Sequence, residues 1–383
     1  MEPILVVLPA LLAALITTGL FLFGLWQIVR TFALREKLAG LIRALGLTRA
    51  EENPLLRSTH SWEAGGVFNP AAVATKDRTH LFYRSVGADG VSRIGYAASG
   101  DDKHIDERLP YPVFALAGNP DTRAFASNSG LSASGGSFAG VEDPRAVVIE
   151  DRVYLSFNAF SGWDSLRIGV SSLGVDDLLA GRWKWTSPVF LSPRGEVHKS
   201  WVLFPEKIAN KFAVLHGFSK DRTRANIAYL DSLDHEPTPH IRSDASFRDS
   251  VDEEVWDSRI RGAGPPPLKT SKGWLVFYHA NDSVDSHRYK LGAMLLDLDD
   301  PTKVIARSPV PVLSPDASYE NEGKPGIVYA CGATLKGDVL RVYYGGADAV
   351  VCAATTSLAG LLEKLVEPYV SPKAALRNAL AFA

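Results

Sequence analysis

The first thirty positions carry one unbroken apolar pattern. From Ile4 to Val29 no side chain is charged, and only Thr17, Thr18 and Gln27 are polar. As a helix rising about 1.5 Å per residue, such a run reaches roughly 39 Å, more than the roughly 30 Å of a hydrocarbon core. The pattern predicts a transmembrane anchor over 1–30. A cleaved signal peptide fits less well, because Glu2 is the only charge ahead of the run and signal cores span only about 7–15 residues. Arg30, Arg35, Lys37, Arg43 and Arg49 follow the run, so the positive-inside rule places everything after it in the cytoplasm, on a single-pass inner-membrane protein. Leu34, Leu38, Leu41, Ile42 and Leu45 recur at helical spacing among those basic residues. Residues 31–53 therefore read as an amphipathic juxtamembrane linker, or as a continuation of the anchor helix.

Past Pro54 the period changes from 3.6 to 2. Short alternating strands are separated by Gly, Asp, Asn and Lys turns, and the same unit recurs: an apolar strand, a polar turn, an aromatic strand and a strand of small residues. PAAVATKDRTHLFYRSVG with SRIGYAAS is one copy, and PRAVVIEDRVYLSFNAF with LRIGVSS is the next. With Tyr83, Phe157, His216, Tyr278 and Tyr344 taken as equivalent, the intervals are 74, 59, 62 and 66 residues. Five such units predict an all-β, five-bladed β-propeller over 54–364, with a tail over 365–383. A two-sheet sandwich does not account for the odd count. The Ser-, Gly- and Asn-rich stretch over 115–140 reads as a long loop and a candidate lid.

Composition changes this picture in few places. The mean hydropathy of +0.00 is high for an enzyme, and the surplus sits largely in 4–29. With 41 basic and 43 acidic residues, the chain lacks the basic excess of a nucleic-acid binder. Two cysteines, Cys331 and Cys352, exclude a disulfide framework. No metal-ligand pattern, P-loop, dinucleotide fingerprint or nucleophile elbow is present, so neither a metal nor a cofactor is expected.

Polar residues cluster at equivalent points of the repeat, beside the aromatic strand. They include Asn69, the run Glu142-Asp143-Pro144-Arg145, His198-Lys199, Glu206-Lys207, His216, Arg259, Arg261, His279, Glu320, Glu322 and Asp348. In a radial repeat, equivalent positions project toward one axis, so side chains distant in sequence converge. Carboxylates with aromatics suit a sugar; clustered cations suit a phosphate.

These blocks resemble glycoside hydrolase family 130, the β-mannoside phosphorylases and β-mannosidases. The resemblance runs over 54–362 through FNPAAV (68–73), GVEDPRAV (140–147), RIGVSS (167–172), VLFPEKI (202–208), the block over 262–280 and YYGGAD (343–348). It implies Asp143 as the catalytic acid. It implies Asn69, Arg84 and Asp348 around the mannosyl unit, with Glu142 beside them. Lys199, Lys207, His279, Tyr289 and Arg167 fall where phosphate ligands are expected. Lys290 departs from the pattern, which more often has Arg there. The activity implied is inverting phosphorolysis of a β-linked mannoside to α-mannose 1-phosphate, or the reverse, with inorganic phosphate as co-substrate. The alternatives are hydrolysis with Glu206, Glu320 or Glu322 as base, β-mannosyl transfer from a nucleotide sugar, and a non-catalytic glycan-binding propeller.

Overall fold

The computed structural model describes residues 17–33, 36, 39–40, 45–116, 137, 139–160, 166–243, 255–282 and 285–367. Two compact units divide the chain, one of residues 1–44 with 368–383 and one of residues 45–367.

In the smaller unit, residues 17–33 are helical. Arg30 lies within this described helical stretch. Among the described residues, no helix is long and apolar enough to cross a membrane. This overturns the expected anchor, and with it the membrane as a partner and the inner membrane as the location. The expected span rests on apolar composition, and the described helical residues include the charged Arg30. Residues 4–16 of the expected span lie outside the described residues, as do eight positions between 34 and 44 of the amphipathic segment, most of the candidate lid over 115–140 and the tail from 368.

The larger unit begins at Leu45, which with Leu47 is buried. Five antiparallel sheets follow one another. The first comprises β2 (Gly66–Ala74), β3 (Thr79–Val86), β4 (Val91–Ser99) and β5 (Glu107–Arg108). The second comprises β6 (Ala139–Ile149), β7 (Arg152–Phe160), β8 (Leu166–Gly174) and β9 (Val189–Phe190). A parallel pair, Val91 with Ala139 and Ser92 with Gly140, joins these two into one sheet. The third comprises β10 (Val202–Leu203), β11 (Phe212–Phe218) and β12 (Ala225–Leu230). The fourth comprises β13 (Arg259–Ala263), β14 (Leu268–Thr270), β15 (Gly273–Asn281), β16 (Lys290–Leu296) and β17 (Val304–Arg307). In the fifth, β18 (Val328–Lys336), β19 (Val339–Gly346) and β20 (Val350–Ser357) are completed by β1 (Thr48–Arg49), which pairs with β20. Neighbouring blades contact in order, and β18 packs on β2, so the ring closes on itself.

The core lies between blades, which is why most strands are buried on both faces. Phe82, Tyr96 and Phe157 pack with Trp183 and Trp185 between the first two blades, and Phe204, Trp274 and Met294 pack between the third and fourth. Within blades, the middle-strand aromatic faces a glycine of the next strand: Tyr83 pairs with Gly95, Phe157 with Gly169 and Tyr278 with Gly292. A Cβ on Gly95 would lie 2.3 Å from the Tyr83 ring, so the ring lies flat on the sheet only because that position is glycine.

Three of the five equivalent aromatics, Tyr83, Tyr278 and Tyr344, end in a repeated clasp. Tyr83 donates to Glu63 (2.7 Å), Tyr278 to Asp257 (2.7 Å) and Tyr344 to Glu320 (2.8 Å). Each carboxylate is buried and also meets an arginine of the blade's outermost strand: Arg108 at 2.7 Å, Arg307 at 3.3 Å and Arg49 at 2.7 Å. The clasp ties the segment entering a blade to its middle and outer strands.

Candidate active site

The inner strands break register at matching places. In β2 the shift falls between Phe68 and Ala71, around Asn69-Pro70; in β6 it falls between Glu142 and Arg145, around Asp143-Pro144. Proline has no N–H to give a ladder, so the extra residue of a bulge settles there. Asn69 and Asp143 both take left-handed backbone, φ +49° and +47°. The two bulges bring their side chains together: Asn69 Nδ2 donates to Asp143 Oδ1 at 2.8 Å.

Arg84, the residue after the β3 aromatic, completes the centre. It is buried, with its guanidinium 4.9 Å from the centroid of the Phe68 ring. It donates to Asp143 Oδ1 (2.9 Å), Glu142 Oε1 (3.0 Å), Ser92 (2.9 Å) and Ser137 (2.9 Å). Burial opposes its charge, but Glu142, Asp143 and Asp348 outweigh that and drive its pKa up. On the other side, Asn158 donates to Asp143 Oδ2 at 3.3 Å. Burial by itself would raise the Asp143 carboxyl; Arg84, then Arg145 and Lys199, overcome it and hold the group well below the usual carboxylate range.

The expected site residues divide by placement. Asn69, Arg84, Glu142 and Asp143 form one hydrogen-bonded cluster. Lys199 lies 3.6 Å from Glu142 Oε2. Asp348, at φ +51°, adds its field to Arg84 and lies 3.4 Å from Lys324. His279 is fully buried; its Nε2 accepts from the Ala330 N–H at 2.9 Å, and its ring stacks on Tyr329 with centroids 3.8 Å apart. Burial, then Arg145, push its pKa down to about 3. Tyr289 reaches this group at a tilt, its ring centroid 6.2 Å from that of Tyr329.

Two residues expected at the phosphate are not brought to the cluster. Lys207 pairs with Glu150 at 2.8 Å, at the turn where β6 hands over to β7, the far end of the strand from Asp143. Arg167 is taken by Glu236 at 3.0 Å and the Ser192 carbonyl at 2.9 Å. Of the alternative bases, Glu206 pairs with Lys269, Glu320 serves the fifth-blade clasp and Glu322 is exposed. Lys290, the departure from the family pattern, pairs with Asp282 at 2.8 Å. No group of three or more His, Cys, Asp or Glu that could hold a metal is found among the described residues.

Asn158, Ser200 and Tyr329 join this cluster through hydrogen bonds, and motif reading passed over them. Asn158 had a signal: like Arg84 and His279, it directly follows the repeat's aromatic. Ser200 and Tyr329 had none, since their roles arise from contacts between blades.

The Asp143 carboxyl, with Glu142 beside it, set among amide and guanidinium donors on the inner strands of a β-propeller, suits a carbohydrate-active enzyme. The chain belongs to glycoside hydrolase family 130: the family's model, described as β-1,4-mannooligosaccharide phosphorylase, matches residues 51–367. It is 35% identical over 325 residues to a 1,2-β-oligomannan phosphorylase of Thermoanaerobacter sp. (strain X514), covering 80% of this chain and 96% of that one. A β-1,2-mannobiose phosphorylase of the same organism is 34% identical, covering 79% and 94%. Among solved structures, the β-1,2-mannobiose phosphorylase of Listeria innocua in complex with β-1,2-mannobiose shares the fold, with a TM-score of 0.63 at 23% identity over 83% of this chain and 99% of that one. The protein is a β-mannoside phosphorylase, and inorganic phosphate is its co-substrate.

Proposed function

We propose that the enzyme cleaves β-1,2-linked mannosides, with Asp143 as the acid. Phosphate oxygen attacks the anomeric carbon from the face opposite the leaving oxygen. The C–O bond to the aglycone breaks, and α-mannose 1-phosphate forms with inversion. The departing oxygen takes its proton from Asp143, directly or through a sugar hydroxyl. Asn69, Arg84 and Asp348 hold the mannosyl unit, and Lys199 supplies positive charge for the phosphate, which as an anion must only be held and aimed.

The observation that carries this reading is the Asp143 carboxyl at the β6 bulge, with Asn69, Arg84 and Asn158 fixing both its oxygens, while the adjacent Glu142 is bonded to Arg84 and Ser137. An inverting hydrolase needs a second carboxylate to activate water. Glu206 and Glu320, the paired candidates for that part, are engaged elsewhere. The β-1,2 linkage follows the two relatives at 34–35% identity. The test incubates the full chain with β-1,2- and β-1,4-mannobiose, with and without phosphate. Mannose 1-phosphate formed from the β-1,2 substrate only when phosphate is present is the expected result. Free mannose released regardless of phosphate would exclude the reading.

A further inference from the structure

The hydrogen bonds leaving Asp143 return to it. Asn158 Nδ2 donates to Asp143 Oδ2, while Asn158 Oδ1 accepts from the Ser200 backbone N–H at 3.1 Å. Ser200 Oγ and the Tyr329 hydroxyl are hydrogen-bonded at 2.8 Å. The same hydroxyl accepts from Arg145 Nη2 at 3.3 Å, and Arg145 Nη1 donates to the Asp143 carbonyl at 2.7 Å. This closed circuit takes in the second, third and fifth blades and grips both the carboxylate and the backbone of Asp143.

Arg145, Ser200 and Tyr329 are each held from outside the circuit. Arg145 is buried and places its remaining donors on the carbonyls of Ala263 and Gly264 in the fourth blade, both at 3.2 Å. Ser200 takes left-handed backbone (φ +60°) against Gly262, where a Cβ would lie 2.6 Å from that of Ser200. Tyr329 is backed by the parallel His279 ring, itself fixed by the Ala330 N–H. Since Nε2 accepts that bond, the ring's hydrogen sits on Nδ1.

We infer that Tyr329 is a positioning residue for the acid: it joins Ser200 to Arg145 and so sets the orientation of the Asp143 carboxyl, with His279 acting as its support. The inference rests on Asp143 being the acid. A circuit differs from a set of separate contacts in one measurable way: its links are coupled, so the losses from opening two of them do not add.

Tyr329→Phe keeps the stack on His279 and removes only the hydroxyl; Ser200→Ala opens the neighbouring link without touching the ring. Each is expected to lower kcat about tenfold, with KM for phosphate and for the mannoside within about twofold of the parent. The double variant is expected to be no slower than either single one. Parental kcat in both single variants, a rise in KM for phosphate at unchanged kcat, or a double variant slowed about a hundredfold would each overturn the inference. Thermal unfolding of each variant checks the fold, and Ser200→Ala carries the test if Tyr329→Phe fails to fold. Asp143→Asn is run alongside. Retained activity there would refute the underlying assignment of the acid, whereas an inactive Asp143→Asn beside a fully active Tyr329→Phe refutes only the role of Tyr329.

Discussion

Asp143 is ionised in the free enzyme, which is the wrong state for giving up a proton. Arg84, Arg145 and Lys199 hold it there. Arg84 and Arg145 are buried and hydrogen-bonded within the cluster, and Lys199, 3.6 Å from Glu142 Oε2, is the third cation. Phosphate beside Lys199 would cancel its field at Asp143 and let the carboxyl take up a proton when the mannoside arrives. Removing that cation has a defined sign. Lys199→Met raises the pKa of Asp143, because the carboxylate loses a stabilising charge, and raises KM for phosphate by about tenfold or more. Initial rates over a phosphate series check this; an unchanged KM would take Lys199 out of the phosphate site. Asp143→Asn is expected to lower kcat by about 10²–10⁴, the range of a lost general acid. Lys207→Met is expected to leave kcat/KM within about twofold, since its ammonium is committed to Glu150. Lys199 and Lys207 look alike on paper, eight positions apart with a carboxylate near each. What separates them is which end of a blade they occupy, and spacing does not encode that.

At the level of strands and connections, the repeat was readable because two features of each blade leave marks on the chain. The aromatic needs a glycine opposite it, hence the recurring pairs Tyr83–Gly95, Phe157–Gly169 and Tyr278–Gly292. The bulged inner strand needs a residue that accepts left-handed backbone next to a proline, hence Asn69-Pro70 and Asp143-Pro144. The clasps were not readable, because their carboxylate, tyrosine and arginine come from three separate segments. The fifth-blade clasp also locks the ring, since Arg49 lies on β1, the strand that closes the last blade. It gives Glu320 two bonds, from Nε at 2.8 Å and Nη2 at 2.7 Å, and a third to the Ser314 carbonyl. Arg49→Ala would leave a buried carboxylate with only Tyr344 and the Ala317 N–H as partners. A loss of about 3–5 kcal/mol is expected, against about 1–3 for Tyr344→Phe, which removes one donor and no charge. Urea unfolding followed by tryptophan fluorescence measures both. If Arg49→Ala costs less than Tyr344→Phe, the clasp is not held by its charge pair.

For the molecule as a whole, buried histidines set how stability responds to mild acid. His80 and His216 are pushed down to about 4, by burial and then by Arg78 and His198 respectively; His279 is pushed down to about 3 by burial and then Arg145. Each has a folded pKa below its unfolded value near 6.5, so below that pH the unfolded chain binds more protons than the folded one. The stability these groups contribute is complete above about 6.5 and is lost as pH falls toward 4. Glu63 and Asp143 run on a different range: their pKa values are lowered, so they hold their contribution until the pH drops below the ordinary carboxylate range near 4. Between 6.5 and 4.5 the slope therefore belongs to the histidines, at up to about 2 kcal/mol each by pH 5. His80 is the cleanest to remove, because it sits in the first blade between Thr75 and the Tyr96 hydroxyl, away from Asp143. His80→Gln keeps a hydrogen-bonding side chain there without a group that charges in this range. Urea midpoints at pH 7.5, 6.5, 5.5 and 5.0 should fall steadily for the parent and by about a third less for the variant. A parent whose midpoint stays level across that range would show that these rings reach their protons without unfolding.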